Sequence, residues 1–314
     1  MSQAGESAAA APATWLNQRE RGAIFGIRLV FFLATSFGRA PAGLFLRFVA
    51  FWYAAFDRTV RRTSLGWFAR VHGREGSFRD VWRHVYCFAR VALDRVFLLR
   101  GATEHFVVNR TGNHYLRELV AERRGAVLLG AHLGSFEAMR VGAKRERFPL
   151  NIVGHFENAR MINGLLEKLD PEISARVLHV GDDPVSFALA VRERLAHGEM
   201  VAILADRVGL NNKRVEVEFF GRPAEFPAGP FLLAATLRCP VYLVFGLYFE
   251  PNRYELFCEP FAERIELPRG DRANALRAVV QRYAERLEHY ARKAPDNWFN
   301  FHDFWQGQQH DGSP

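Results

Sequence analysis

The chain has 314 residues, of which 49% are hydrophobic and 24% are charged, so it can bury a large core and is not generally disordered. Its formal net charge is +8, but zinc-finger spacing, a basic zipper and an aromatic RNA-binding signature are all missing, so we expect no nucleic-acid partner. The three cysteines have no CxxC spacing, which favours buried structural thiols over a disulfide framework.

The N-terminal region predicts a membrane-anchoring segment. Residues 1–14 are small and Ala-rich and are interpreted as a disordered tail, and residues 15–62 as apolar helices. The two apolar runs, 22–37 and 42–56, are each shorter than the roughly 20 residues that span a bilayer. A tilted span and helices lying at the interface therefore both stay open, as do a cleaved signal peptide and a buried helical hairpin. Basic residues on both sides favour ends at the cytoplasmic face.

The rest of the chain, residues 63–314, is predicted to form one main domain. Residues 78–99 carry apolar side chains at helical spacing, and residues 271–294 form a second amphipathic pattern. Between them, short apolar runs alternate with helical segments. The runs predicted as strands are 126–131, 150–156, 175–180, 200–206 and 239–249. Such alternation predicts an α/β fold with a mixed, largely parallel sheet flanked by helices.

The stretch "VLLGAHLGSFEAMR", residues 127–140, predicts a strand, a tight break and a helix start. On one continuous helix His132 and Glu137 would not share a face, but they can meet if His132 lies in the loop and Glu137 in the first helical turn. A histidine oriented by a carboxylate is a general base. The alternative is a capping glutamate beside a hydrogen-bonded histidine. The spacing does not match HExxH, and we expect neither a metal nor another cofactor.

A second group of candidate residues follows other predicted strands. Asp206 and Arg207 end the apolar run "VAILA", where an open parallel sheet usually builds its site. Asp206 is a candidate for orienting a base or an acceptor hydroxyl, and Arg207 for binding a phosphate; a surface ion pair is the alternative. His155 and Asn158 are candidate site-lining residues; the alternative is that either one caps the helix that follows.

The motifs "GAHLGSFE" and "FFGRPAEFPAGP" resemble those of the lipid A late acyltransferases, within the wider superfamily that acylates glycerolipids. The resemblance extends over residues 20–305 and includes "VAILADRVG", an apolar N-terminal anchor and a Trp-rich end. The variants "FENARMINGLL" and "WFNFHDFW" look more like the acyltransferases of aryl polyene and related lipid-pigment clusters.

This resemblance implies a membrane-associated acyltransferase at the cytoplasmic face of the bacterial inner membrane. The acyl donor would be acyl carrier protein or acyl-CoA, and the acceptor a hydroxyl of a lipid or glycolipid. His132 would be the general base, oriented by Glu137. Backbone N–H groups near Gly134, or Arg160, would stabilise the oxyanion. Two other functions stay open: a lipid esterase, for which no GxSxG elbow is present, and a non-catalytic protein that binds lipid or carrier protein.

Overall fold

The computed structural model of the chain describes Phe32 and residues 34–154, 176–180, 183–208 and 213–305. The helices, in chain order, are α1 (Arg39–Phe56), α2 (Arg58–His72), α3 (Phe78–Leu99), α4 (Asn113–Ala121), α5 (Phe136–Arg145), α6 (Pro184–Ala196), α7 (Gly229–Leu237) and α8 (Arg272–Lys293). The strands are β1 (Val107–Thr111), β2 (Ala126–Gly130), β3 (Leu150–Gly154), β4 (Val177–His179), β5 (Met200–Leu204), β6 (Arg214–Phe219), β7 (Arg222–Pro227), β8 (Val241–Phe249) and β9 (Arg253–Ala262).

Seven strands form the main sheet, in the order β1-β9-β8-β2-β5-β3-β4. All neighbouring pairs are parallel except β8 and β9, which pair antiparallel as consecutive strands. The predicted α/β fold with a mixed, largely parallel sheet is therefore confirmed. Strand β9 was not predicted, because charged residues and a proline limit its apolar run to Leu256–Cys258.

Helices cover both faces of this sheet. Alternate side chains of β2, such as Val127 and Leu129, face a core that includes Tyr283 and Leu287 of α8. Leu128, between them, faces the opposite core together with Leu119 of α4. Every residue of β2 is buried, which explains its continuous apolar run.

Helix α1 is fixed to the domain by a buried ion pair. The Arg39 guanidinium donates hydrogen bonds of 2.8 and 2.9 Å to the carboxylate of Asp94 on α3. Tyr254 of β9 also donates to this carboxylate, at 2.8 Å. The small residues Ala42 and Gly43 lie at the contact with α3, where the guanidinium of Arg90 packs directly against Gly43. These contacts hold one face of α1 inward, so the opposite face points outward.

In the part of the chain that the structure describes, no helix has both the length and the apolar character needed to cross a bilayer. Most of the first predicted apolar run, residues 22–31 and 33, lies outside the described residues. The second forms α1, whose outward face carries exposed aromatic side chains.

The motif "FFGRPAEFPAGP" forms the second half of the β6–β7 hairpin. Phe220 and Gly221 form its turn, with φ of 51° and 71°, and glycine adopts such positive values readily. Phe219 and Phe226 are completely buried in the main core. They therefore pack as ordinary core residues. The three cysteines are also buried and unpaired, as predicted.

Candidate active site

The sheet brings His132 and Asp206 together at the carboxyl ends of two neighbouring strands. Strands β2 and β5 are parallel, and Gly130 pairs with Leu204 at their ends. His132 and Asp206 each lie two residues beyond that pair. Because the strands run side by side in the same direction, equal offsets place the two side chains next to each other.

Asp206 holds the imidazole of His132 by two contacts. The Nδ1 atom of His132 lies 2.8 Å from Oδ1 of Asp206, and the backbone N–H of His132 donates to Oδ2 at 3.0 Å. Asp206 is fully buried, whereas the side chain of His132 retains a third of its exposure. The carboxylate is therefore sealed in the protein while the imidazole stays accessible.

Electrostatics fixes the protonation states of this pair. Burial opposes ionisation of Asp206, but the imidazole, its hydrogen bond and the Arg207 charge outweigh burial and lower the Asp206 pKa to about 2. Burial, with a contribution from Arg207, also lowers the pKa of His132 below its usual 6.5, against the opposing effect of Asp206. Near neutral pH the carboxylate is thus ionised and accepts from Nδ1–H. The lone pair of Nε2 is left to take a proton, as a general base requires.

The segment that follows α8 completes the site. The indole Nε1–H of Trp298 points at Oδ2 of Asp206, 3.4 Å away. Phe299 donates its backbone N–H to the His132 carbonyl at 3.1 Å, and its own carbonyl accepts from Arg207 at 2.7 Å. Arg207 therefore lies beside the pair, as predicted from its position after β5. The contribution of Trp298 and Phe299 could not be read from the sequence, because an aromatic tail is equally typical of a core.

Glu137 does not contact the imidazole, which corrects the predicted pairing. Its carboxylate accepts from Arg95 of α3 at 3.2 Å and from Arg140, one turn later on α5, at 2.9 Å. Helix α5 begins at Phe136, capped by the Ser135 hydroxyl as predicted, and the first turn points the Glu137 side chain towards α3. The carboxylate that contacts the imidazole is that of Asp206.

Residues 90–307, more than half of the chain, match the model of the bacterial lipid A biosynthesis acyltransferases. The chain belongs to this family.

A curated relative supports the same assignment. The phosphatidylinositol mannoside acyltransferase of Mycolicibacterium smegmatis is 25% identical over 184 residues, which are 58% of this chain and 57% of the relative. The present member of the lipid A acyltransferase family thus spans a little over half the length of that relative.

The Gly134 amide does not serve as the predicted oxyanion donor in this family member. Gly134 adopts φ 76°, and a side chain there would collide with the Gly246 carbonyl of β8. Its N–H donates to the Asn297 carbonyl at 2.8 Å, and the Ser135 N–H donates to Gly246 at 2.7 Å. Gly134 therefore shapes the loop that presents His132. The predicted site residues His155, Asn158 and Arg160 lie outside the described residues.

Glu137→Gln should destabilise this lipid A acyltransferase homologue without disturbing the His132–Asp206 contact. The substitution leaves the cations of Arg95 and Arg140 without their shared carboxylate, at an expected loss of about 1–3 kcal/mol in the free energy of unfolding. Urea denaturation measures the loss, and Glu266→Gln, on an exposed side chain, is the matched control. NMR of labelled histidine should show an unchanged His132 tautomer; a changed tautomer would contradict the assignment of Asp206 as the orienting group.

Proposed function

We propose that this chain is a membrane-associated acyltransferase. It moves a fatty acyl group from an acyl thioester, carried by acyl carrier protein or coenzyme A, to a hydroxyl group of a lipid or glycolipid acceptor. Its family membership supports the reaction class. The observation that carries the proposal is the 2.8 Å contact between His132 and a buried, ionised Asp206, which leaves Nε2 as an accessible base.

The proposed reaction needs no nucleophile from the protein. The acceptor oxygen forms a bond to the acyl carbon while Nε2 of His132 takes its proton. Asp206 stabilises the resulting imidazolium through the Nδ1 hydrogen bond. The C–S bond then breaks, and the leaving thiolate takes the proton from Nε2. The positive charge of Arg207 lies beside the pair and favours the negatively charged intermediate.

The test compares membranes that contain wild type with membranes that contain His132→Gln. Both receive labelled acyl carrier protein or acyl-CoA together with a total lipid extract, and mass spectrometry identifies any acylated lipid. A product made only by wild type supports the proposal and identifies the acceptor. Release of free fatty acid without such a product favours an esterase, and equal product from both proteins would remove His132 from the mechanism.

The proposed membrane contact rests on the outward face of α1. We call this set the apolar face: Leu44, Phe48, Phe51, Trp52 and Phe56. Each of its residues is more than half exposed, and their spacing places them along one side of the helix. Exposed Arg58 and Arg62 follow immediately. Aromatic side chains beside arginines are typical of helices that lie in the headgroup region of anionic lipid, at the cytoplasmic face of the inner membrane in this proposal.

Phe48→Gln combined with Trp52→Gln should weaken binding to anionic liposomes by at least about tenfold, because each aromatic ring contributes about 1 kcal/mol or more when it enters the interface. Flotation of protein with vesicles measures the partitioning. Val185→Gln combined with Leu189→Gln is the control, since these exposed apolar side chains lie on α6 and outside the apolar face. Equal losses in both double variants would contradict a specific role for the apolar face.

A further inference from the structure

A basic cavity of about 340 Å³ lies between α2, the β6–β7 hairpin and the C-terminal segment. We call it the arginine pocket. Its lining includes Arg62, Arg70, Arg222, Asn300 and Trp305. A water molecule occupies about 30 Å³ of liquid, so the volume accepts a phosphate group with part of its ester.

The arginine pocket carries an excess of positive charge. Its three arginines face a single carboxylate, Asp303, which lies 3.9 Å from Arg62. Burial and the neighbouring charge of Arg222 lower the pKa of Arg70 against the opposing effect of Asp303, so the two cations lie close enough to repel each other. Within the described residues, no carboxylate lies at ion-pair distance from Arg222. A bound anion relieves this repulsion.

Several residues that line the arginine pocket also have unpaired hydrogen-bonding groups. Asn300 is 4% exposed, and neither atom of its amide has a hydrogen-bond partner among the described residues. The Nε atom of Arg70 and the indole Nε1 of Trp305 are also buried and have no hydrogen-bond partner among the described residues. Three of these four groups are donors. Buried polar groups are nearly always paired, so these four atoms leave the wall of the pocket rich in unsatisfied hydrogen-bonding capacity next to its arginines.

The arginine pocket adjoins the catalytic pair. Trp298 lines the pocket and directs its indole N–H at Asp206. His302 also lines it and lies within electrostatic range of His132 and Arg207. Burial, followed by the charge of Arg207, lowers the pKa of His302 to about 4, so this imidazole is neutral at pH 7 and leaves the arginines as the only cations there. The arginine pocket therefore lies next to the His132–Asp206 pair, and Trp298 contacts both.

We propose that the arginine pocket binds the phosphate ester of a substrate, with Arg70 and Arg222 contacting the anion. This inference deepens the proposed function and rests on it. Two sources share the chemistry: the phosphopantetheine of the acyl donor and the phosphorylated headgroup of a lipid acceptor.

The closing experiment measures binding without turnover. Tryptophan fluorescence and calorimetry follow titrations of the full chain with 4′-phosphopantetheine and with glycerol 3-phosphate, each against its dephosphorylated counterpart. We expect one phosphate ester to bind at least about tenfold more tightly than its counterpart, because a hydrogen bond to a charged group is worth about that factor. The ester that binds identifies the source.

Substitutions locate the site. Arg222→Gln, on an exposed side chain, should weaken phosphate binding by at least about tenfold. In turnover it should raise KM for the corresponding substrate with a smaller change in kcat. Arg264→Gln removes the same charge from an exposed position outside the pocket and is the matched control.

The outcomes separate the two proposals. No preference for either phosphate ester, or equal weakening by Arg222→Gln and Arg264→Gln, overturns the arginine pocket. If a phosphate ester binds tightly and the binding depends on Arg222, but the chain transfers no acyl group, the arginine pocket is supported and the proposed function is contradicted. His132→Gln should retain phosphate binding, since its imidazole contacts Asp206 and does not line the cavity.

Discussion

His132→Gln is expected to lower kcat by about two to four orders of magnitude, the range that a positioned general base contributes. Glutamine can still accept from a nearby N–H, but its amide oxygen is far too weak a base to take a proton from the acceptor hydroxyl. The buried core beside it is unaffected, because the imidazole is partly exposed and Asp206 retains its hydrogen bond from the backbone N–H of residue 132. Initial rates with saturating donor and acceptor measure the loss.

The control for that result is His197→Gln, on an exposed histidine at the end of α6. It should keep wild-type activity. Circular dichroism and a thermal melt verify that both variants fold. If His132→Gln folded and retained more than about a tenth of wild-type activity, well above the general-base range, His132 would not be the base.

Asp206→Asn is expected to lower kcat by about three orders of magnitude, although it changes only one atom of a buried side chain. The ionised carboxylate accepts three hydrogen bonds, from the His132 amide, the His132 ring and the Trp298 indole. Asparagine offers one oxygen and turns an N–H₂ towards some of these donors. The imidazole then favours the tautomer with its proton on Nε2, where it cannot act as a base.

The pH dependence gives Asp206→Asn a second, independent signature. In wild type the active form is the neutral imidazole, so kcat/KM should fall as the pH drops through the His132 pKa, which lies below 6.5. Asp206 raises that pKa towards its usual value, so removing its charge lowers the pKa further. The acidic limb of the profile should therefore move to lower pH while the plateau falls. Asp183→Asn, which keeps a good N-cap residue on α6, is the matched control and should change neither.

An Asp206→Asn profile that matched wild type in both plateau and acidic limb would contradict the assignment. It would mean that the contact with Nδ1 is structural and that another group orients the base. NMR of labelled histidine in the same variant reports the His132 tautomer directly. It shows whether Asp206 is wrongly assigned as the partner or His132 is wrongly assigned as the base.

The sequence predicted the central strands of the sheet and the position of His132 after one of them, because those features depend on local patterns. The continuous apolar runs of β2 and β5 predicted buried strands, and the strand ends predicted His132 and Asp206 as site residues. Their mutual contact follows from the pairing of Gly130 with Leu204, which sequence periodicity does not specify.

The predicted contact between Glu137 and His132 was wrong for a related reason. Five residues of separation make a contact with His132 possible, but they do not reveal Arg95, which lies 42 residues away on α3. Which cations come within reach of a carboxylate at the start of a helix depends on how the helices pack, and the spacing of residues in the sequence does not show this. The arginine pocket was missed for the same reason, since its residues come from α2, the hairpin and the C-terminal segment.

The contacts made by Trp298 and Phe299 have a consequence for biosynthesis. Both residues come after nearly all of the sheet and helices in the order of synthesis, yet they touch the loop of His132, Asp206 and Arg207. A ribosome-bound chain that lacks them can form β2 and β5 but still leaves the catalytic pair without its last supports. The nascent protein therefore gains these supporting contacts only after residue 299 has left the exit tunnel, so the end of the chain stabilises a site whose other parts were made much earlier.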